Sequence, residues 1–310
     1  MAPSRGPQPL ARNLHVSLTG HKGAVNVARY SKGTAKYVLS GGQDRTVRLW
    51  NAGSGAEIKT FAAHGYEVLS ITVSQDNSKF ASSGGDRSIF LWDVSTGVTT
   101  RRLAGHMGKI NVVEFNEDAS VVASGSFDAT VRLWDLRAQS RQAIQTLEEA
   151  HDAVQTLFVG SSYIITGSVD GHVRTYDLRM GELRSDFIGH PVTSVLPTQD
   201  AQTYLVATLD NHVRLMDCST GKLLNDFTGH VNEAYRCRAC FGHGEATVIC
   251  GDEKGQIWAW DLVDAKILQP NPPPQAHQKL ITWTEHHPTE AGEMITSSAD
   301  GTVKVWRVPE

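Results

Sequence analysis

The amino-acid sequence predicts an all-β fold, a seven-bladed β-propeller whose ring is closed by an N-terminal strand completing the last blade. Two observations carry this. First, a Gly-His or Ala-His pair recurs seven times, each time followed by a tight turn and a strand with an aromatic or large apolar end. The turn anchors Asp44, Asp86, Asp128 and Asp170 are each 42 residues apart, and later spacings drift to 40, 44 and 46, with Lys254 in the sixth slot. A unit of this length cannot bury its own apolar faces and is stable only when stacked on copies of itself. Second, the seventh unit stops after its third strand, at Trp306, while Leu14–Leu18 at the other end of the chain is a spare strand. Pairing the two removes both open sheet edges.

Taken in order, the units fall at about 20–62, 63–104, 105–148, 150–188, 189–228, 229–269 and 276–308, the last completed by residues 14–18. Each reads as four short strands. In the third, Ile110–Phe115 is innermost, followed by Val121–Ser124, Thr130–Trp134 and an outermost Ala143–Leu147. The third strands form a column, among them Val47-Arg48-Leu49-Trp50, Val131-Arg132-Leu133-Trp134 and Val303-Lys304-Val305-Trp306. Alternate side chains point to opposite faces of a strand, so sheets packed between two neighbours need apolar residues in both sets. Residues 1–11 have no pairing partner and read as a mobile tail ahead of a single domain spanning 12–310. The run Gln269-Pro270-Asn271-Pro272-Pro273-Pro274 reads as a surface loop.

Composition narrows the function. A formal charge of −4 argues against a general nucleic-acid binder, which would carry a basic face. Four irregularly spaced cysteines do not make a secreted disulfide framework, and no apolar run reaches the length of a membrane helix. A chain in the cytoplasm and nucleus is expected.

The Gly-His and Trp-Asp marks at this period resemble the WD40 repeat. That resemblance implies a hydrogen-bonded line inside each blade, formed here by His21, Ser40, Asp44 and Trp50; by His64, Ser82, Asp86 and Trp92; and by His106, Ser124, Asp128 and Trp134. A His-Asp-Ser set looks like a hydrolase triad, but tandem recurrence without an oxyanion-hole motif points to structure. Tyr176 replaces the Trp in unit four. Unit five keeps His190 and Asp210 but has Val206 and Met216 in the other slots, and unit six has Cys250 and Lys254. Units four to six are therefore expected to be the soft arc of the ring.

No phosphate-binding, dinucleotide, nucleophile-elbow or zincin motif is found, so no enzyme, cofactor or metal site is expected. Cys237 and Cys240 form a C-x-x-C in a predicted inner strand, where positions three apart face opposite ways. His172 and His212 share one slot in adjacent units and read as turn residues. The expected channel-mouth positions, Asn26, Leu69, Asn111, Thr193, Tyr235 and Thr282, include no acid, base or strong ligand.

Further segments go beyond propeller grammar: His64-Gly65-Tyr66-Glu67-Val68-Leu69, Gly167-Ser168-Val169-Asp170-Gly171, Tyr176-Asp177-Leu178-Arg179-Met180-Gly181 and His287-Pro288-Thr289-Glu290. They resemble the mitogen-activated protein kinase organizer family, that of WD repeat-containing protein 83. The resemblance implies a non-catalytic scaffold for kinase-cascade components and association with the spliceosome. It implies proteins as partners, without direct nucleic-acid or membrane binding, and a monomeric chain.

A partner is expected on the face carrying the loops before the inner strands and the Asp-bearing turns. There the sequence places Tyr66, Glu67, Leu69, Lys109, Asn111, Phe127, Glu233 and Tyr235, with Arg45 and Arg87 after turn Asp residues. Aromatic and Arg side chains are the usual energetic anchors of interfaces, which favours Phe127, Tyr235 and Tyr66. An alternative reading rests on Trp134-Asp135-Leu136-Arg137 and Tyr176-Asp177-Leu178-Arg179. This pair of boxes is similar to the motif by which some WD40 proteins dock on a cullin ubiquitin ligase through the Arg, here Arg137 and Arg179.

Overall fold

A computed structural model describes residues 10–308. Among them, short strands joined by tight turns form seven antiparallel sheets, six of four strands and one of three. Each chain segment runs outward through its blade, from an inner strand such as Val25–Tyr30 to an outer one such as Glu57–Ala62. The exception is the closing blade. Its strands Ile281–His286, Glu293–Ser298 and Thr302–Arg307 are completed by Asn13–Thr19, which pairs Leu14 with Trp306 and Leu18 with Val303.

The expected strands of the third blade differ from the observed ones at their ends. Its third strand begins at Val131, and the hydroxyl of Thr130 before it donates to the turn carboxylate of Asp128 at 2.7 Å. The outermost strand is only Gln145–Leu147.

Two further expectations are corrected. Residues 1–9 of the proposed tail lie outside the described residues, but Leu10 and Ala11 are packed. Ala11 is buried with Cys240, Met294 and Trp306, and the Arg12 N–H donates to the Arg307 carbonyl at 3.1 Å. Both apolar side chains sit beside blade six, which has three strands, Ala239–Phe241, Thr247–Gly251 and Ile257–Asp261, instead of the expected four. Its open edge is partly covered: Ile267 bridges Trp260, Gln275 bridges Gln256, and the Gln256 side chain donates to the Pro273 carbonyl at 2.8 Å. The proline-rich run is thus docked through buried Pro273.

Blades meet through close backbone approach. A Cβ on Gly125 would stand 2.6 Å from Val154 of the next blade, and one on Gly167 would stand 2.4 Å from Val192. Inner strands carry a one-residue bulge at Asn26, Leu69, Asn111, Thr193 and Thr282. Bulges re-aim a side chain out of the alternation, and here the polar ones clasp a neighbour. Asn26 donates to Val68 O, Asn111 to Val154 O, Thr193 to Cys237 O and Thr282 to Val25 O, at 2.9, 2.9, 3.3 and 2.6 Å.

Deleting residues 1–19 should therefore lower the melting temperature sharply, and Leu18→Ala alone, at a fully buried position, should cost about 2–5 kcal/mol in denaturant unfolding. An unchanged melt for the deletion would refute closure. In hydrogen exchange, the irregular segment 231–238 of blade six should exchange fastest among the inner positions of the ring.

Candidate functional site

The repeated polar residues meet as a line in four blades. In the third, the Trp134 indole N–H donates to Ser124 Oγ at 2.8 Å, His106 Nε2 is 2.8 Å from the same oxygen, and His106 Nδ1 is 2.9 Å from Asp128. Blade one repeats this with His21, Ser40, Asp44 and Trp50, and blade two with His64, Ser82, Asp86 and Trp92. Blade seven adds His277, Thr296, Asp300 and Trp306, with Thr296 filling the Ser slot. An indole can only donate and a carboxylate can only accept. The imidazole proton therefore sits on Nδ1, and the hydroxyl donates to Nε2.

Burial lowers the pKa of His21 and His277 despite their Asp partners, which keeps both rings neutral. Burial opposes ionisation of Asp128 and Asp300, but hydrogen bonds from the His and from Thr130 or Thr302 outweigh it and hold both carboxyls well below the usual range. The residue after each turn anchor is left-handed throughout: Arg45, Arg87, Ala129 and Asn211 take φ of +56 to +67°, and Gly171, Gly255 and Gly301 fill the slot elsewhere.

Blades four and five use a different line, which sequence reasoning missed. Arg174, buried, donates to Ser168 at 2.8 Å and to Asp170 at 2.8 Å. Arg214 does the same to Thr208 at 2.6 Å and to Asp210 at 2.5 Å. His151 contributes only its backbone N–H, and His190 stands off Asp210 at 3.5 Å. The sequence signal was incomplete: an Arg four residues after the turn Asp with a hydroxyl two residues before it also occurs in blade three, as Ser126, Asp128 and Arg132, and only the loss of the Trp, to Tyr176 and Met216, sets blades four and five apart. In blade six, Asp252 replaces the vacant slot of Lys254; it is fully buried and accepts the Trp258 indole N–H at 2.9 Å. His230 there is 2% exposed and neither ring nitrogen finds a partner among the described residues.

The expected partner face divides on inspection. Tyr66, Phe127 and Tyr235 are 61%, 57% and 55% exposed, and Met107, which the sequence reading missed, is 75% exposed. Lys109 is exposed, with its ammonium 5.4 Å from the centre of the Phe127 ring. Arg45 and Arg87 are exposed. Asn111 is a correction: at 3% exposure, with its amide bound to Val154, it is a clasp between blades. Leu69 and Glu67 are half-buried, the former at a bulge. Glu233 accepts from Asn211 at 3.1 Å, and the Glu253 carboxylate gathers the N–H groups of Glu233, Ala234 and Tyr235 at 2.8, 2.6 and 2.9 Å. That nest fixes the loop presenting Tyr235.

The channel also differs from expectation. Eight residues past five of the His markers stand Arg29, Thr72, Glu114, Arg238 and Glu285, all facing the central channel. Arg29 pairs with Glu114 and lies 3.8 Å from Glu285, while Arg238 reaches Glu285 at 3.2 Å. Position along the inner strand, beyond the mouth positions considered from sequence, was the missing signal.

Known proteins share this architecture. The description "WD domain, G-beta repeat" matches residues 12–51 and 275–307, the first and last blades, and "Nucleolar protein 10-like, N-terminal domain" matches residues 66–240. WD repeat domain-containing protein 83 of Xenopus laevis is 50% identical over 306 residues, 99% of this chain and 96% of its own. The Homo sapiens protein of that name is 43% identical over 98% of this chain and 95% of its own. This chain belongs to the WD repeat domain-containing protein 83 family. An uncharacterized WD repeat-containing protein of Schizosaccharomyces pombe is 48% identical over 78% of this chain and 81% of its own length.

Within this family fold the remaining motifs have local roles. Cys237 packs with Cys250 and Trp258, and Cys240 with Ile281 and Trp306 in a separate cluster. Of the C-x-x-C pair only Cys240 lies in a regular strand, a correction to the predicted one; burial pushes its thiol up to about 11. His172 binds Ser185 at 3.0 Å and His212 binds Asp226 at 2.8 Å, each within its own blade. Arg137 is exposed and pairs with Asp118 at 2.5 Å, whereas Arg179 is exposed and has no ion pair among the described residues.

Burial, with His212 nearby, brings the pKa of His230 down to about 4 from an ordinary 6.5. The unfolded chain takes up this proton near pH 6.5, so the stabilisation is complete above that pH and is lost as pH falls towards 4. Between pH 7.5 and 5 this group should account for about 2 kcal/mol of lost stability. His230→Phe, placed against the Trp260 ring, should remove that increment in denaturant unfolding at the two pH values.

Proposed function

We propose that this chain is a non-catalytic scaffold that assembles multiprotein complexes on the loop face of its ring. The observation that carries the reading is the set of exposed apolar side chains there, Tyr66, Met107, Phe127 and Tyr235. Large apolar side chains held in water by fixed loops supply the contact area that binding hot spots use. Lys109, Arg45, Arg87 and Glu67 give the same face charges for selecting a partner. A non-catalytic role is supported by the His lines: Ser124 is fully buried, accepts from Trp134 and donates to His106, so its hydroxyl is neither free nor accessible to a substrate.

Family resemblance directs the partner classes to kinase-cascade components and spliceosomal proteins, in cytoplasm and nucleus, with the chain acting as a monomer. The ligase-docking alternative has less behind it, because one of its two Arg side chains is already paired with Asp118.

Affinity purification followed by mass spectrometry should recover kinase-cascade or spliceosomal proteins. The triple substitution Tyr66→Ala, Phe127→Ala and Tyr235→Ala should weaken their capture at least about a hundredfold, since each anchor is worth ~1–2 kcal/mol, with an unchanged melting temperature. Full capture by the triple variant would exclude this face.

A further inference from the structure

The central channel opens, at the end opposite the loop face, into a cavity of about 530 Å³ walled by inner-strand residues of all seven blades. Four cations reach it: Arg29, Lys32, Arg236 and Arg238. Of the carboxylates, Glu114 lines it, Glu285 stands beside it in the adjoining recess, and Glu117 lies on the exposed rim with Lys32. The first two are already committed. Glu114 pairs with Arg29 and accepts from Thr72 at 2.9 Å, and Glu285 lies between Arg29 and Arg238. Both of these guanidiniums also lie over the Trp283 indole, 4.9 and 4.0 Å from its centre, which fixes their planes.

Arg236 and Lys32 have no carboxylate. Arg236 reaches across the channel from blade six and donates to the Asn111 carbonyl of blade three at 2.8 Å, its one hydrogen bond among the described residues. Burial first, then repulsion from Arg238, draws its guanidinium down to about 10. Lys32 is pulled down by burial and by Arg29, although Glu285 opposes this. One positive charge, that of Arg236, thus stands uncompensated inside a narrow passage, where fields are focused rather than screened, and Lys32 lies exposed at the rim together with Glu117. Two hydroxyls add donors: Thr156 and Ser194 each accept a backbone N–H, from Val195 and Ala239 at 3.2 Å, and keep their own proton to give.

We propose that this cavity binds a small phosphate-bearing anion. The Arg236 guanidinium inside, without a carboxylate partner among the described residues, and the Lys32 ammonium at the rim call for an anion. Guanidiniums held in fixed planes match the paired oxygens of a phosphate. The recess excludes a folded partner and is within the size range of small-ligand sites. The site is separate from the loop face and independent of what binds there.

Calorimetric titration of the full chain with inorganic pyrophosphate at about 0.15 M salt tests this. Saturable 1:1 binding is expected. Arg236→Gln and Lys32→Gln should each weaken it about tenfold or more, in line with losing one charge-assisted contact. Arg45→Gln/Arg87→Gln, on the opposite face, should leave it unchanged. Should Arg236→Gln fail to fold, Lys32→Gln, with its backbone at the exposed rim, decides alone. Absence of saturable heat with the parent chain, or equal weakening by the Arg45/Arg87 variant, would overturn the proposal.

Discussion

In four of the seven blades one hydroxyl oxygen ties the second and third strands to the incoming loop. In blades one, two, three and seven it stands in the second strand, takes the indole N–H from the third and gives its proton to an imidazole on the incoming loop. Each such bond contributes only ~1 kcal/mol net, but stripping one partner leaves a buried polar group costing ~1–3 kcal/mol. The line therefore resists partial loss more than its summed energy suggests. It also has a consequence at the surface. The turn carboxylate that ends the line also accepts the backbone N–H after the His, Gly65 at 3.2 Å in blade two and Met107 at 2.8 Å in blade three. The loops that display Tyr66 and Met107 are thus held from below by the core, and exposed apolar groups keep a defined geometry.

Ring closure imposes a second requirement, that seven sheets pack face to face with both faces dry. Glycine at Gly125 and Gly167 lets the next inner strand approach, and bulges turn Asn26, Asn111, Thr193 and Thr282 sideways to hold it. Four of the positions expected to line the channel mouth are inter-blade clasps. The channel itself is lined one or two turns of the alternation further along, by charged side chains that neutralise one another only in part.

Blade six departs from the pattern most, and its departures are compensated individually. Asp252 accepts from Trp258 while Trp260, in the usual Trp slot, donates to the Thr228 carbonyl, Glu253 organises the loop before the first strand, and residues near Pro273 cover the missing fourth strand. The irregular first strand frees Arg236 to cross the channel. Local order is lost where the interior of the ring acquires charge, as expected when a site is built at the expense of a regular ladder.

The constant spacing determined the blade number, the last unit's missing fourth strand determined the closing strand, and the His–Asp/Ser–Trp lines of the first three blades followed from the resemblance to the WD40 repeat, whose residues lie within one unit. The spacing also placed Tyr66, Phe127 and Tyr235 on one face, since turns alternate ends of a sheet in a fixed order. Only the tertiary structure decided that Asn111 is a clasp, that Arg174 and Arg214 stand in for imidazoles, and that Leu10 and Ala11 belong to the core. It alone assembled the channel, where Arg29 meets Glu114 across 85 residues and Arg236 meets Asn111 across 125. Charges from separate blades converge there through ring geometry, and no pattern local to one unit records which sign will face which.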